Sequence, residues 1–198
     1  MDLETMRQEV LRYYCRSYED RLMAGTSGNA SVWSPELGQM VITPSGVDWR
    51  DLTAERLVAM DLSGNVYGKG KPSSEWRMHA AVYRAVPEAR AILHTHSRHA
   101  TAFAVVGQPI PPVLIEMQLF LGGAVPLCPY GPPGSEDLAE KTARVLSAAP
   151  ACLLENHGVA ALGKTMEEAW LRASYVEDAA AICCAAAPLG PLRTVPSW

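Results

Sequence analysis

The chain has 198 residues, 48% hydrophobic and 19% charged, which suits one folded domain over residues 1–198 and excludes a disordered chain. A formal net charge of −4, without any Lys/Arg cluster, excludes a large nucleic-acid footprint, so no nucleic-acid partner is expected. No apolar stretch is long enough to cross a bilayer, and Met1-Asp2-Leu3-Glu4-Thr5-Met6 carries acids where a secretion signal has an apolar core, so no membrane partner is expected.

Leu3, Met6, Val10 and Tyr14 recur at helical spacing and predict an amphipathic helix from about Asp2 to Met23, ended by Gly25 to Gly28. Ala30–Trp33 and Met40–Thr43 read as strands joined by the turn Ser34-Pro35-Glu36-Leu37-Gly38. Leu57–Leu62 and Asn65–Tyr67 flank Ser63-Gly64 as a second hairpin. A helix opens at Ser74, just after Pro72, and runs to about Val86, where Pro87 marks its end. The apolar run Ala89–His96 reads as a strand, and a short helix follows from Ser97 to Val106. Pro111 and Pro112 indicate an edge or loop ahead of an apolar piece reaching Leu121. Ala124–Cys128 is a short strand, and Ser135 caps a helix to about Ala149, with Glu136 and Asp137 at its positive end. One further apolar strand, Cys152 onward, ends at Asn156-His157-Gly158. Thr165-Met166-Glu167-Glu168 forms a capping box for the last helix, to about Ala187, and the tail with Pro188, Pro191 and Pro196 reads as irregular.

Early strands joined by hairpins and later ones joined by helices predict an α/β fold with a largely antiparallel or mixed sheet. No G-x-G-x-x-G follows a strand, so dinucleotide binding has no support. Cys15, Cys128, Cys152, Cys183 and Cys184 form no C-x-x-C pair. An odd count without framework spacing reads as reduced thiols of a cytoplasmic protein.

Three of the five histidines stand near the ends of strand-like segments. His94 and His96 are two apart, so a strand turns both to one face. With His157 they could supply three nitrogens to a divalent metal and leave a coordination position open, the pattern of a catalytic zinc site. H-x-H alone is a weak signal, and a strand histidine is more often structural. His79 and His99 read as ordinary helix-face residues. Ser73, Ser74 and Glu75 place two hydroxyls and an acid at a helix start, where exposed N–H groups attract anions; equally, Ser74 serves only as a cap. Gly25-Thr26-Ser27-Gly28-Asn29 and Thr43-Pro44-Ser45-Gly46 read either as simple turns or as loops able to cradle a phosphate.

Taken in order, Gly25–Asn29, Ile42–Gly46, Ser73-Ser74-Glu75, His94-Thr95-His96 and Asn156-His157-Gly158 resemble the class II aldolase/adducin family, over nearly the whole chain. Within it the chain is most similar to the L-fuculose-1-phosphate aldolase subgroup. The resemblance implies a three-layer α/β/α fold around a mainly antiparallel sheet. It also implies a homotetramer with active sites at subunit interfaces and a small phosphorylated sugar as substrate. It implies Zn²⁺, or Mn²⁺ or Co²⁺, on His94, His96 and His157, with Glu75 as both ligand and catalytic acid/base. Thr26, Gly28, Asn29, Ser45, Gly46, Ser73 and Ser74 would hold the phosphate. The implied reaction is reversible cleavage of a ketose 1-phosphate to dihydroxyacetone phosphate and an aldehyde. The alternatives are ribulose-5-phosphate 4-epimerase or sugar-acid phosphate decarboxylase of the same family, a non-enzymatic scaffold, or a zinc hydrolase. The sequence departs from the subgroup in two places: Val113–Leu119 has no tyrosine, and the tail stops at Trp198 where relatives continue to another aromatic residue.

Overall fold

The strand segments are nearly continuous apolar runs because both faces of the sheet are covered. The structure is a computed structural model and describes residues 1–196. Its helices are α1 (Leu3–Glu19), α2 (Trp76–Ala85), α3 (Arg98–Val105), α4 (Glu136–Leu146) and α5 (Met166–Ala186). Its strands are β1 (Asn29–Ser34), β2 (Gln39–Ile42), β3 (Val58–Met60), β4 (Val66–Tyr67), β5 (Ala91–Thr95), β6 (Leu127–Cys128), β7 (Ala151–Leu154) and β8 (Gly158–Gly163). They form one sheet in the order β4-β3-β2-β1-β5-β8-β7-β6, antiparallel at every pairing except β6 with β7.

Alternation along the strands divides the core into two layers. Ala91 and Leu93 of β5 face one side, with Val10 of α1, Ala104 of α3 and Val176 of α5. Ile92 faces the other side, with Met78 and Val82 of α2 and Leu138 of α4. The result is the expected three-layer α/β/α arrangement, and its alternation assigns His94 to the α2 side.

Several boundaries differ from the sequence reading for local reasons. The first helix stops at Glu19, because Arg21 takes a left-handed φ of 61°; Leu22 and Met23 remain buried, which is why the apolar pattern runs on. The second helix starts at Trp76, not Ser74. Pro72 bridges to Pro44, and Ser73 Oγ accepts the Glu75 N–H, so residues 72–74 stay outside the helix. The cap position assigned to Ser74 falls instead on Glu75, one residue later. The strand expected over Ala124–Cys128 shrinks to Leu127–Cys128, while Val125 pairs with Ile110. The apolar piece before Leu121 is a π-helical turn, Met117–Leu121.

The larger correction concerns His157. The single strand expected there is a hairpin, β7 and β8, with His157 in the turn between them and Asn156 at a left-handed φ of 56°. β8, rather than β7, lies beside β5. The tail makes a short 3₁₀ turn, Ala187–Leu189, and is irregular to residue 196; Trp198 lies outside the described residues.

Candidate active site

The register of the sheet brings the three imidazoles together. His94 lies near the end of β5, opposite Ala160 of β8 on one side and Asn29 of β1 on the other. His96 follows at the strand exit, where its N–H donates to the Leu22 carbonyl. His157 enters from the β7–β8 turn. The ring centroids lie 4.7 to 5.0 Å apart, and the candidate donor atoms lie within 4.8 Å of one another. β8 can run this close because Gly158 has no side chain: a Cβ there would sit 2.2 Å from the Thr95 carbonyl oxygen.

Glu75 completes the cluster from the start of α2. Its Oε2 lies 3.0 Å from His94 Nε2, and its Oε1 lies 3.5 Å from His157 Nε2. His94 Nδ1 lies 2.8 Å from the Val159 carbonyl and donates to it, which leaves Nε2 for the interior of the cluster. His94 Nε2 and His96 Nε2 face each other at 3.0 Å, an approach that needs a proton or a cation between them. Glu75 Oε1 and His157 Nδ1 are buried without a hydrogen-bond partner.

Charge follows the same layout. Burial, reinforced by the neighbouring rings, pushes His96 down to about 3, and burial with the His94 charge pushes His157 down to about 4, so both rings are neutral. Burial works against a charge on His94, but the Glu75 carboxylate overrides it and holds His94 above the ordinary histidine value. Burial likewise opposes ionisation of Glu75, yet His94, His157 and Asn29 together hold it below the usual carboxylate range. Three imidazole nitrogens and one carboxylate oxygen thus converge on a point that favours positive charge. This donor set fits Zn²⁺, and also Mn²⁺ or Co²⁺.

Of the loop residues expected to hold a phosphate, Gly28, Asn29 and Ser73 make contacts with His94 or Glu75. Gly28 takes φ 85°, and a Cβ there would lie 2.8 Å from the His94 carbonyl oxygen, so only glycine lets β1 begin so close to β5. Asn29 is buried and donates from Nδ2 to Glu75 Oε2 at 3.1 Å. The segment Thr43–Gly46 runs beside Lys71–Ser74: the Ser45 N–H donates to the Lys71 carbonyl, and the Ser73 N–H to the Thr43 carbonyl. The Thr43 hydroxyl accepts the Ala30 N–H, which ties this pair of segments to β1. Ser73 is buried, Ser45 half-buried, and Thr26, Gly46 and Ser74 exposed. Glu116, the polar residue of the tyrosine-free segment, is half-buried beside the π-helical turn.

His79 was expected on an ordinary helix face; instead it is fully buried, with Nδ1 2.6 Å from Ser31 Oγ and Nε2 2.5 Å from Asn29 Oδ1. A signal for this existed. Glu75, His79 and Tyr83 recur every four residues, and Asn29 and Ser31 every two, so one helix stripe and one strand face carry all five polar groups. His99 is a surface residue: its ring and backbone N–H meet Glu177 of α5.

Comparison with known proteins identifies the family and the fold. The family described as Class II Aldolase and Adducin N-terminal domain matches residues 8–184. The L-fuculose phosphate aldolase of Escherichia coli O6:H1 is 38% identical over 157 residues, 79% of this chain and 72% of that protein. The 5-deoxy-D-ribulose 1-phosphate aldolase of Bacillus thuringiensis serovar kurstaki is 32% identical over 197 residues, 99% of this chain and 92% of that protein. A solved structure of L-fuculose 1-phosphate aldolase superposes with a TM-score of 0.93 at 35% identity, covering 97% of this chain and 91% of that one.

Proposed function

The chain belongs to the class II aldolase and adducin family and is a lyase of the aldolase type; from that premise we propose that it cleaves a ketose 1-phosphate reversibly to dihydroxyacetone phosphate and a small aldehyde. The observation that carries this reading is the convergence of His94, His96, His157 and Glu75, with Asn29 and Ser73 hydrogen-bonded to Glu75.

His94, His96 and His157 would hold a divalent metal, most suitably Zn²⁺, with Glu75 as a further ligand in the resting state. The metal supplies Lewis-acid stabilisation of the negative charge that develops when a carbon–carbon bond near a ketone breaks. Backbone N–H and hydroxyl groups of Thr26, Gly28, Asn29, Ser45, Gly46, Ser73 and Ser74 bind the phosphate, which fixes the reacting carbon and removes much of the entropic barrier. Glu75 carries the proton. In cleavage the hydroxyl on the departing carbon loses its proton as that carbon becomes the aldehyde, and Glu75 delivers a proton to the carbon left behind; in synthesis Glu75 removes that proton and the aldehyde oxygen takes one up. Its burial and its Asn29 contact keep the carboxylate aimed and screened from bulk water.

The two relatives described above are named for L-fuculose phosphate and 5-deoxy-D-ribulose 1-phosphate. Retro-aldol cleavage of either leaves a short aldehyde ending in a methyl group. The working form is a homotetramer of one-domain chains, residues 1–198; Ile115, Leu119 and Phe120 are exposed apolar residues of the kind an interface covers. Five unpaired thiols fit the reducing cytoplasm.

The test is a product assay on L-fuculose 1-phosphate, 5-deoxyribulose 1-phosphate, ribulose 1-phosphate and ribulose 5-phosphate, before and after chelation. Dihydroxyacetone phosphate and aldehyde should appear from at least one ketose 1-phosphate, and chelation should stop it. An epimer from ribulose 5-phosphate, or no turnover of any ketose 1-phosphate, would overturn the proposal.

A further inference from the structure

A buried line of hydrogen bonds ends on the Glu75 carboxylate. Tyr83, His79 and Glu75 form one stripe at the start and inner face of α2, and Ser31 and Asn29 form the facing stripe of β1. The two interlock. The Tyr83 hydroxyl donates to the Ser31 carbonyl at 2.9 Å and lies 2.7 Å from Ser31 Oγ. Ser31 Oγ lies 2.6 Å from His79 Nδ1, His79 Nε2 lies 2.5 Å from Asn29 Oδ1, and Asn29 Nδ2 lies 3.1 Å from Glu75 Oε2.

The proton positions follow by elimination. An ionised carboxylate only accepts, so the Asn29 amide must present its N–H₂ to Glu75 and its oxygen to His79. His79 Nε2 must then carry a hydrogen. The ring is fully buried without a carboxylate in contact, and burial pushes its pKa down to about 3, so the ring is neutral and Nδ1 is bare. Ser31 therefore donates to Nδ1. From Ser31 onward, each donor points toward Glu75, while the Tyr83 hydroxyl donates to the Ser31 carbonyl.

We propose that His79 is a positioning residue: as the Nε2–H tautomer it locks the Asn29 side-chain amide with its N–H₂ toward Glu75, and so fixes the carboxylate in the orientation that transfers the substrate proton. A reversed amide would set its oxygen against Oε2 and turn the carboxylate away. This rests on the reading of Glu75 as the proton-transferring group. His79 touches none of the three imidazole rings, so they can still hold a metal without it.

Two measurements on the full-length, metal-loaded protein test this. Nitrogen-15 spectra of labelled histidines should show His79 with Nε2 protonated and Nδ1 bare near neutral pH; an Nδ1–H tautomer or a charged ring would overturn the proposal. Proton exchange on dihydroxyacetone phosphate in heavy water is the second. His79→Leu removes the donor and should slow exchange roughly 10–100-fold, with metal content unchanged. His79→Gln, whose amide N–H can replace Nε2–H, should recover most of the rate. Exchange at the wild-type rate in His79→Leu, or equal losses in both variants, would refute the positioning role. Where His79→Leu does not fold, Ser31→Ala removes only the hydroxyl that pins Nδ1, and should slow exchange in the same direction; an unchanged rate refutes the proposal. A wild-type protein that exchanges no proton would instead refute the aldolase reading, while the tautomer measurement still decides whether His79 sets the amide.

Discussion

At the scale of single residues, the site is a balance between burial and paired charge. Removing one imidazole leaves its partners with a cavity and an uncompensated carboxylate. His94→Ala is therefore expected to abolish bound metal and turnover together, as metal analysis and the product assay would show; a variant with full metal occupancy would refute the ligand assignment. Glu75→Gln keeps the size of the side chain but cannot accept the substrate proton. It should lose proton exchange on dihydroxyacetone phosphate while still binding phosphate compounds, and undiminished exchange would exclude Glu75 as the base. Acid should act through the neutral rings. His79 has a pKa of about 3 in the fold against an ordinary value of 6.5, and His96 and His157 are also lowered, to about 3 and about 4. The unfolded chain takes up these protons first, so the stability they contribute is complete above 6.5 and is lost as pH falls toward those lower values. His94, which is raised, contributes in the opposite sense: its share is present below 6.5 and lost as pH rises. Three lowered rings against one raised leave a net loss on acidification, at most about 1.4 kcal/mol per pH unit for each ring. Urea denaturation of metal-free protein between neutral and weakly acid pH measures the slope, which should be shallower in His79→Gln.

At the scale of elements, the hairpin β7–β8 and the start of α2 decide the site. β8 delivers His157 only because it lies flush against β5, and Gly158 makes that contact possible. Gly158→Ala puts a methyl group into the Thr95 carbonyl. It should cost roughly 3 kcal/mol or more and weaken metal binding by displacing the His157 turn; a stable variant with native metal affinity would contradict this account. The beginning of α2 shows how local signals compete. The sequence Ser73-Ser74-Glu75 reads as a helix cap, but the pairing of Pro72 with Pro44 and of Ser73 with Thr43 holds the chain outside the helix until Trp76. That delay leaves Ser74 exposed and puts Glu75 at the N-cap position, buried against His94. By contrast, α5 begins as read: Thr165 Oγ1 accepts the Glu168 N–H, and the Glu168 carboxylate returns to the Lys164 N–H.

At the scale of the whole molecule, one eight-stranded sheet with helices on both faces leaves the active-site residues at one end of β1, β5 and β8. Exposed Ile115 and Leu119 stand on the segment around the π-helical turn, where water contact has no structural return. Sedimentation equilibrium should give a species of four chains, and Leu119→Asp should shift it toward smaller species; a monomeric wild-type protein would refute the proposed assembly.

Much of this was legible in the sequence because it is written in local periodicity. The two-residue step of His94 and His96, the four-residue steps of α1, and the capping residues of α4 and α5 depend on neighbours within one turn or one strand. The hairpin was only half legible: Glu155-Asn156-His157-Gly158 marks the end of one strand, but the apolar run Val159–Leu162 has no alternation that identifies a returning strand. The burial of His79 was only partly legible, in its four-residue step with Glu75 and Tyr83, because its partner Asn29 lies 50 residues away. The amino-acid sequence alone determined which side chains could bind a metal, move a proton or grip a phosphate, because residue chemistry and strand or helix period are local properties. Only the tertiary structure decided that β8 is the neighbour of β5 and that Asn29, His79 and Glu75 share one buried line, because register between distant strands is set by packing both faces of a common sheet.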